Sequence, residues 1–135
     1  MSKYATIKTS FKDGEVLIAS LEAMGLQGIQ NHIGRPVQLE GYEARLRKES
    51  ADIVIPRKYV GAASNDLGFK RGTDGTYTAI VSDFDSTKYG PKWMQSLTLE
   101  YNQADVAKKM KTAGFKLVNT GTTKNGNIKA QYQQI

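Results

Sequence analysis

Asn102–Phe115 reads NQADVAKKMKTAGF, and Asp13–Leu26 reads DGEVLIASLEAMGL. The two stretches align without a gap: Asp13 answers Asn102, Leu17 answers Val106, Leu21 answers Met110, Gly25 answers Gly114 and Leu26 answers Phe115. Each opens on an Asp or Asn, whose side-chain oxygen accepts from the unpaired N–H groups at a helix start, an interaction worth about 1 kcal/mol. Apolar residues then recur at i, i+4 and i+7, which is one buried stripe of a helix. A glycine follows where helices end in a left-handed residue, and an apolar residue returns the chain to the core. The strands ahead of the helices also echo each other, Tyr4-Ala5-Thr6-Ile7 and Tyr77-Thr78-Ala79-Ile80. The expectation is a single domain, 1–135, with an internal duplication into units of about 1–58 and 67–135.

Working outward, the second helix raises a conflict. Trp93, Leu97, Tyr101 and Ala104 share one stripe, while Val106, Met110 and Ala113 share another. At 100° per residue the second stripe lies roughly opposite the first. A straight helix would then be buried on both sides, so the pattern predicts a break or kink at Asn102. Tyr4 to Phe11 alternates as a half-buried strand, and the first helix is expected to bury Leu17, Ile18, Leu21 and Met24. From Leu26 to Leu46 the chain reads as extended but irregular, with turns at Gly34-Arg35-Pro36 and Gly41. Tyr42, Ala44 and Leu46 then alternate with Glu43, Arg45 and Arg47 as a strand that ends in RLRKES. Ala51–Ile55 (ADIVI) is a short β-branched run stopped by Pro56, and 57–66 has no periodicity and reads as a mobile loop. Asp74-Gly75 predicts a hairpin joining 67–71 to 76–82, the latter a central strand with a partly covered second face. Asn125-Gly126 predicts a closing hairpin of 115–120 and 127–133.

The expected fold class is therefore α+β. Two βαββ-like units would form a mainly antiparallel sheet with helices on one face, a ferredoxin-like two-layer sandwich.

The chain of 135 residues suffices for one core without staples. It has no cysteine, which excludes disulfides, thiol nucleophiles and Cys-type zinc sites. No apolar run approaches the roughly 20 residues that span a bilayer, and MSKYATIKTS lacks the apolar centre of a signal peptide. The expectation is a soluble, cytoplasmic protein that makes no membrane contact. A net charge of +6 suits nucleic acid, an acidic protein or an anionic surface without choosing among them.

Few constellations suggest chemistry. His32 is the only histidine, with no second imidazole or thiol to complete a conventional metal site or relay. Asp83 and Asp85 flank Phe84 at a strand end. A magnesium ion there would usually need a phosphate substrate as well, and a solvated loop with capping acids explains the pair better. Gly72-Thr73-Asp74-Gly75 opens no helix and so lacks the geometry of a phosphate cradle. Lys108, Lys109 and Lys111 read as the solvated outer face of the last helix, favourable near its C-terminus. No catalytic, cofactor-binding or metal residue is assigned, and no enzyme activity is expected because no nucleophile, base and orienter assemble.

The basic residues of the middle stretch carry more. Arg45 and Arg47 stand at strand spacing, with Tyr42 three residues before the first. Arginine and tyrosine are the residue types that recur as interface hot spots. Tyr42, Arg45 and Arg47 are therefore the candidate interaction surface, for a protein partner or a second copy first and nucleic acid second. Tyr59 and Phe69 would add rings for stacking single-stranded RNA or DNA. An ion pair of the arginines with Glu40 or Glu43 would also explain them.

MSKYATIKTSFKD, ADIVI, DLGFKRGTDGTYTAIVSDFD, WMQSLTLEYNQADVAKKMKTAGFKL and the closing NGNIKAQYQQI together resemble one family over most of the chain. It is the hypothetical chloroplast reading frame 35 family, also called domain of unknown function 1257, of cyanobacteria, algal plastids and cyanophages. These motifs are strand and helix patterns, so they mark a fold rather than a site. The resemblance implies no established reaction and no cofactor. It implies cyanobacterial or host-cell cytoplasm or plastid stroma as the location, and a small neighbouring gene product as a partner. On the residues and the resemblance together, the expected function is a non-enzymatic protein-binding or regulatory module, with nucleic-acid binding through a basic sheet face as the alternative.

Overall fold

Along Tyr77–Ser82, Tyr77, Ala79 and Val81 alternate with Ile80, and the fold buries both sets. The first three face a core built with helices, and Ile80 faces a second, smaller core. A strand apolar on both faces needs cover on both, and the rest of the chain supplies it. A computed structural model describes residues 2–122, 125–126 and 128–135.

Among these residues, β1 (Tyr4–Lys8), α1 (Gly14–Ala23), β2 (Gln30–Asn31), β3 (Val37–Glu40), β4 (Leu46–Ala51) and β5 (Ile53–Ile55) follow one another. Next come the short helix α2 (Arg57–Val60), β6 (Leu67–Arg71), β7 (Tyr77–Ser82), α3 (Pro91–Thr112), β8 (Phe115–Thr122) and β9 (Ile128–Gln134). Five strands form one antiparallel sheet in the order β1-β7-β6-β5-β2. On one face, α1 and α3 bury Leu17, Leu21, Leu97 and Tyr101 against Ile53, Ile55, Phe69 and Tyr77. Each fully buried large apolar side chain contributes about 1.5–3 kcal/mol. On the other face, Leu39 and Ala51 of the β3–β4 hairpin pack with Val54 and Ile80. Gly68 allows that approach, since a β-carbon there would stand 2.7 Å from the Ala51 methyl.

The α+β class, the antiparallel sheet and the hairpin at Asp74-Gly75 are as the sequence predicts. Asp74 accepts from the Thr76 N–H at 3.0 Å, and Gly75 takes φ 85°. Asp13 caps α1 as expected, accepting from the Val16 N–H at 3.2 Å. Gly25 and Gly114 both end their helices at φ 91°, the left-handed conformation that glycine adopts without strain. A closing hairpin, β8–β9, is also present. Residues 123, 124 and 127 of its turn region lie outside the described residues.

Four expectations are corrected. First, the strand order does not show a ferredoxin-like sandwich, because β8 and β9 form a separate two-stranded sheet instead of extending the main one. Second, α3 is a single helix of 22 residues with no break at Asn102. The two apolar stripes sit at different heights: Met94, Leu97 and Tyr101 are buried in the first half. Past Tyr101 the second stripe leaves the core, with Val106 45% exposed, Ala113 exposed and Met110 half-buried. A helix whose second stripe is left largely outside the core need not kink to bury it, and Pro91–Thr112 has no glycine or later proline to break it.

Third, 57–66 is not a loose loop. It forms α2 and then a segment in which Ser64, Asn65 and Asp66 are all at least nine-tenths buried. Fourth, 42–47 is not one strand. Tyr42–Ala44 form a tight 3-10 turn in which Glu43 and Ala44 take φ of 64° and 61°, and β4 begins only at Leu46. RLRKES thus starts β4 rather than ending a strand. The ADIVI run is divided at Asp52, where the chain passes from the β3–β4 hairpin into the main sheet. Asp52 secures that crossing by accepting from the Gly34 N–H at 3.1 Å and the Arg71 N–H at 2.8 Å. No described helix is long and apolar enough to cross a membrane.

Candidate functional site

Short polar residues gather where β6 begins and β7 ends, and they determine the shape of the loop that carries the arginines. Asp85 is 7% exposed. Its Oδ1 accepts from Ser64 Oγ at 2.7 Å, and its Oδ2 accepts from Ser82 Oγ at 2.8 Å and the Asn65 N–H at 3.2 Å. Asn65 in turn donates from Nδ2 to Ser82 Oγ at 3.0 Å and accepts the Tyr42 N–H on Oδ1 at 2.9 Å. Asp66 accepts the Glu40 N–H at 2.7 Å and the Arg57 N–H at 2.8 Å. Burial pushes the Asp66 carboxyl above its ordinary value even against those two donors. Tyr4 completes the cluster by donating its hydroxyl to the Asp66 carbonyl at 2.8 Å. Burial, with Asp66 nearby, holds that phenol above its ordinary value.

This network braces a cavity of about 510 Å³ whose wall includes Tyr42, Glu43, Arg45, Arg47, Ala63 and Phe84. Among the described residues, the non-glycine positions with positive φ are Glu43, Ala44 and Ala63; Glu43 and Ala63 line this cavity, and Ala44 stands between the lining residues Glu43 and Arg45. Each costs about 1–3 kcal/mol and persists only where the surroundings over-determine it. The buried hydrogen bonds of Asn65, Asp66 and Asp85 supply that constraint.

Tyr42, Arg45 and Arg47 are therefore brought together, although at the rim of a cavity rather than on a shared strand face. Their roles differ. Arg47 is half-buried: its Nη2 donates to the Ser2 carbonyl at 2.7 Å, and its guanidinium carbon lies 4.9 Å from the centre of the Tyr4 ring. It holds the N-terminal strand to the hairpin. Arg45 is exposed, and its side chain has no hydrogen-bond or ion-pair partner among the described residues. The anticipated pairs with Glu40 and Glu43 are not formed. Tyr42 is 53% exposed and Phe84, which the sequence reading passed over, is 55% exposed. The signal for Phe84 was its place between two aspartates at a strand end, and Asp85 there turns inward to bind the loop while Phe84 turns out.

Other candidates separate. Phe69 is fully buried and offers no stacking surface. Tyr59 is 39% exposed on α2, with the Lys58 ammonium 5.0 Å from its ring centre. His32 lies in a turn with Nε2 3.0 Å from Gln30 Oε1. Asp83 and Asp85 do not act as a pair, since Asp83 is exposed and accepts from the Lys3 N–H at 3.2 Å. The described residues gather no group of three His, Asp or Glu side chains able to hold a metal ion. Lys108 is not merely solvated: it reaches across to α1 and bonds Asp13 at 2.8 Å and Glu15 at 3.5 Å.

A family model described as "Protein of unknown function (DUF1257)" matches residues 20–130. The chain belongs to the DUF1257 family. No curated protein and no solved structure matches this chain. The match spans the polar network except Tyr4 and the rim of the cavity except Ser2, and it names no reaction.

Proposed function

We propose that this member of the DUF1257 family is a non-enzymatic accessory module that holds an acidic segment of a partner protein at the cavity rimmed by Tyr42, Arg45 and Phe84. The observation that carries the reading is an exposed arginine with a free side chain and the exposed Tyr42 ring on one strained, braced loop, with the exposed Phe84 ring at the same cavity. Arginine and aromatic side chains dominate binding energy where they stand over a concave, pre-formed surface, and pre-organisation lowers the entropy cost of binding. A protein segment is favoured over nucleic acid for two reasons. The second sheet face is covered by the β3–β4 hairpin, and a track of phosphates needs more cations than Arg45 supplies. As the family resemblance implies, such a module would work in cyanobacterial or host-cell cytoplasm or in a plastid stroma.

The test is fluorescence anisotropy with a labelled poly-glutamate peptide containing tyrosine, set against a poly-uridylate oligonucleotide. Arg45→Gln is the informative variant, because Arg47→Gln would also break the contacts to Ser2 and Tyr4. The reading expects peptide binding that Arg45→Gln weakens about tenfold, the loss of one hydrogen bond to a charged group. It is overturned if Arg45→Gln leaves peptide binding unchanged. It is also overturned if the oligonucleotide binds more tightly and its salt slope falls by about 0.7 in the variant.

A further inference from the structure

A second cavity, of about 700 Å³, lies between the N-terminus of α1 and the middle of α3. Its wall contains two buried phenols. Tyr77 is 1% exposed and Tyr101 is 4% exposed. The Tyr101 hydroxyl accepts the Lys12 N–H at 3.0 Å and the Asp13 N–H at 2.9 Å. An oxygen that accepts twice has only its proton left to offer, and no described residue receives it. The Tyr77 hydroxyl has no hydrogen-bond partner among the described residues. It lies at the cavity wall, 2.5 Å from where a β-carbon on Gly14 would stand. Gly14 is the first residue of α1, so the phenol points at the positive end of that helix. Both hydroxyls line the cavity, so a group bound there can accept two phenol protons that no described residue takes.

The charges around the cavity sort in the same direction. Its three carboxylates are already matched: Asp13 and Glu15 to Lys108, and Asp105 to Lys109 at 2.9 Å. Lys12 and Arg71 line the wall and make no ion pair within 4.0 Å among the described residues. What remains is a set of side-chain donors, two O–H groups, a guanidinium and an ammonium, with no acceptor of their own, beside a helix N-terminus that Asp13 already caps.

We propose that this cavity binds a phosphate-class oxyanion, either free phosphate or the phosphate group of a small organic ester. A tetrahedral dianion offers three or four acceptor oxygens to four or more convergent donors, whereas a carboxylate offers two. Guanidinium groups pair well with phosphate oxygens. The volume exceeds that of one phosphate, and the Ile33 side chain provides an apolar wall for an organic group.

The experiment is isothermal titration calorimetry of the full chain with inorganic phosphate and with phenyl phosphate at constant ionic strength, using Tyr77→Phe and Arg71→Gln. Tyr77→Phe removes a hydroxyl that serves no residue described here, so the fold is retained and its denaturation midpoint is unchanged or higher. The expected result is saturable binding by the parent, weakened about tenfold or more by each variant. Tighter binding of phenyl phosphate identifies an ester as the ligand class, and equal or weaker binding identifies free phosphate. The proposal is overturned if the parent binds neither probe. Parent-like binding by Tyr77→Phe also overturns it whatever Arg71→Gln does, because surface cations alone would then account for the affinity.

Discussion

Replacing Asn65 by Ala should loosen the arginine-bearing loop and destabilise the whole protein. Asn65 is 2% exposed, and its side chain makes two hydrogen bonds, from the Tyr42 N–H at 2.9 Å and to Ser82 Oγ at 3.0 Å. A hydrogen bond contributes about 0.5–1.5 kcal/mol net, and an orphaned buried donor costs about 1–3 kcal/mol. The Tyr42 N–H would be such a donor wherever water did not replace Asn65. The expected loss is about 2–4 kcal/mol, a large share of the roughly 5–15 kcal/mol that a domain possesses. Urea unfolding measures the loss, and amide hydrogen exchange locates it. Exchange at Tyr42 should accelerate more than exchange at Phe69, which sits in the main sheet. A loss below about 1 kcal/mol, with Tyr42 exchanging at the parent rate, would show that the buried network does not brace the loop.

Three further outcomes test the fold. Asn102→Ala should be neutral or stabilising by up to about 0.7 kcal/mol, since Asn102 is an exposed interior residue of a continuous helix; a cost of about 1 kcal/mol in thermal unfolding would instead indicate a cap and a break. Met110→Ala should cost about 1 kcal/mol against about 2–5 for Leu21→Ala, because Met110 is half-buried and Leu21 fully buried; equal costs would place Met110 in the core. The third concerns Asp13, whose carboxyl burial alone would raise. Lys108 and the Val16 N–H outweigh that and hold it below its ordinary value. A depressed folded value gives stability that is present above the ordinary carboxylate range and is lost as pH falls through the folded value. The gap between parent and Lys108→Met urea midpoints should therefore be open near neutral pH and narrow as pH falls below the ordinary carboxylate range; a gap that does not narrow in acid would contradict the pairing.

Local signals were legible and long-range ones were not. The caps at Asp13, Gly25 and Gly114 and the turns at Asp74-Gly75 and Asn125-Gly126 depend on neighbouring residues, and those could be read. The apolar pattern of β7 read as a central strand with a partly covered second face, and both of its faces are in fact covered. It could not say that the cover on one side would be the β3–β4 hairpin, because pairing partners distant in sequence leave no local mark. The break expected at Asn102 failed because periodicity records which side of a helix is apolar and not how far the core extends along it. The segment holding Ser64, Asn65 and Asp66 looked mobile for a related reason: polar residues without periodicity read alike whether solvated or locked in a buried network. For the candidate site, the sequence picked out Tyr42, Arg45 and Arg47. It missed Phe84 and the strained turn that converts a presumed strand face into a cavity rim, since positive φ at Glu43, Ala44 and Ala63 is imposed by tertiary hydrogen bonds.

The most direct test of the proposed working surface is photocrosslinking from position 42. A photoreactive phenylalanine analogue is placed at Tyr42, in parallel at Gln95 on α3, and the crosslinks formed in living host cells are sequenced by mass spectrometry. The account predicts an adduct at position 42 to an acidic segment of another protein, absent at position 95 and lost on Arg45→Glu. Crosslinks to nucleic acid, crosslinks to the chain itself, or protein adducts insensitive to Arg45→Glu would contradict it.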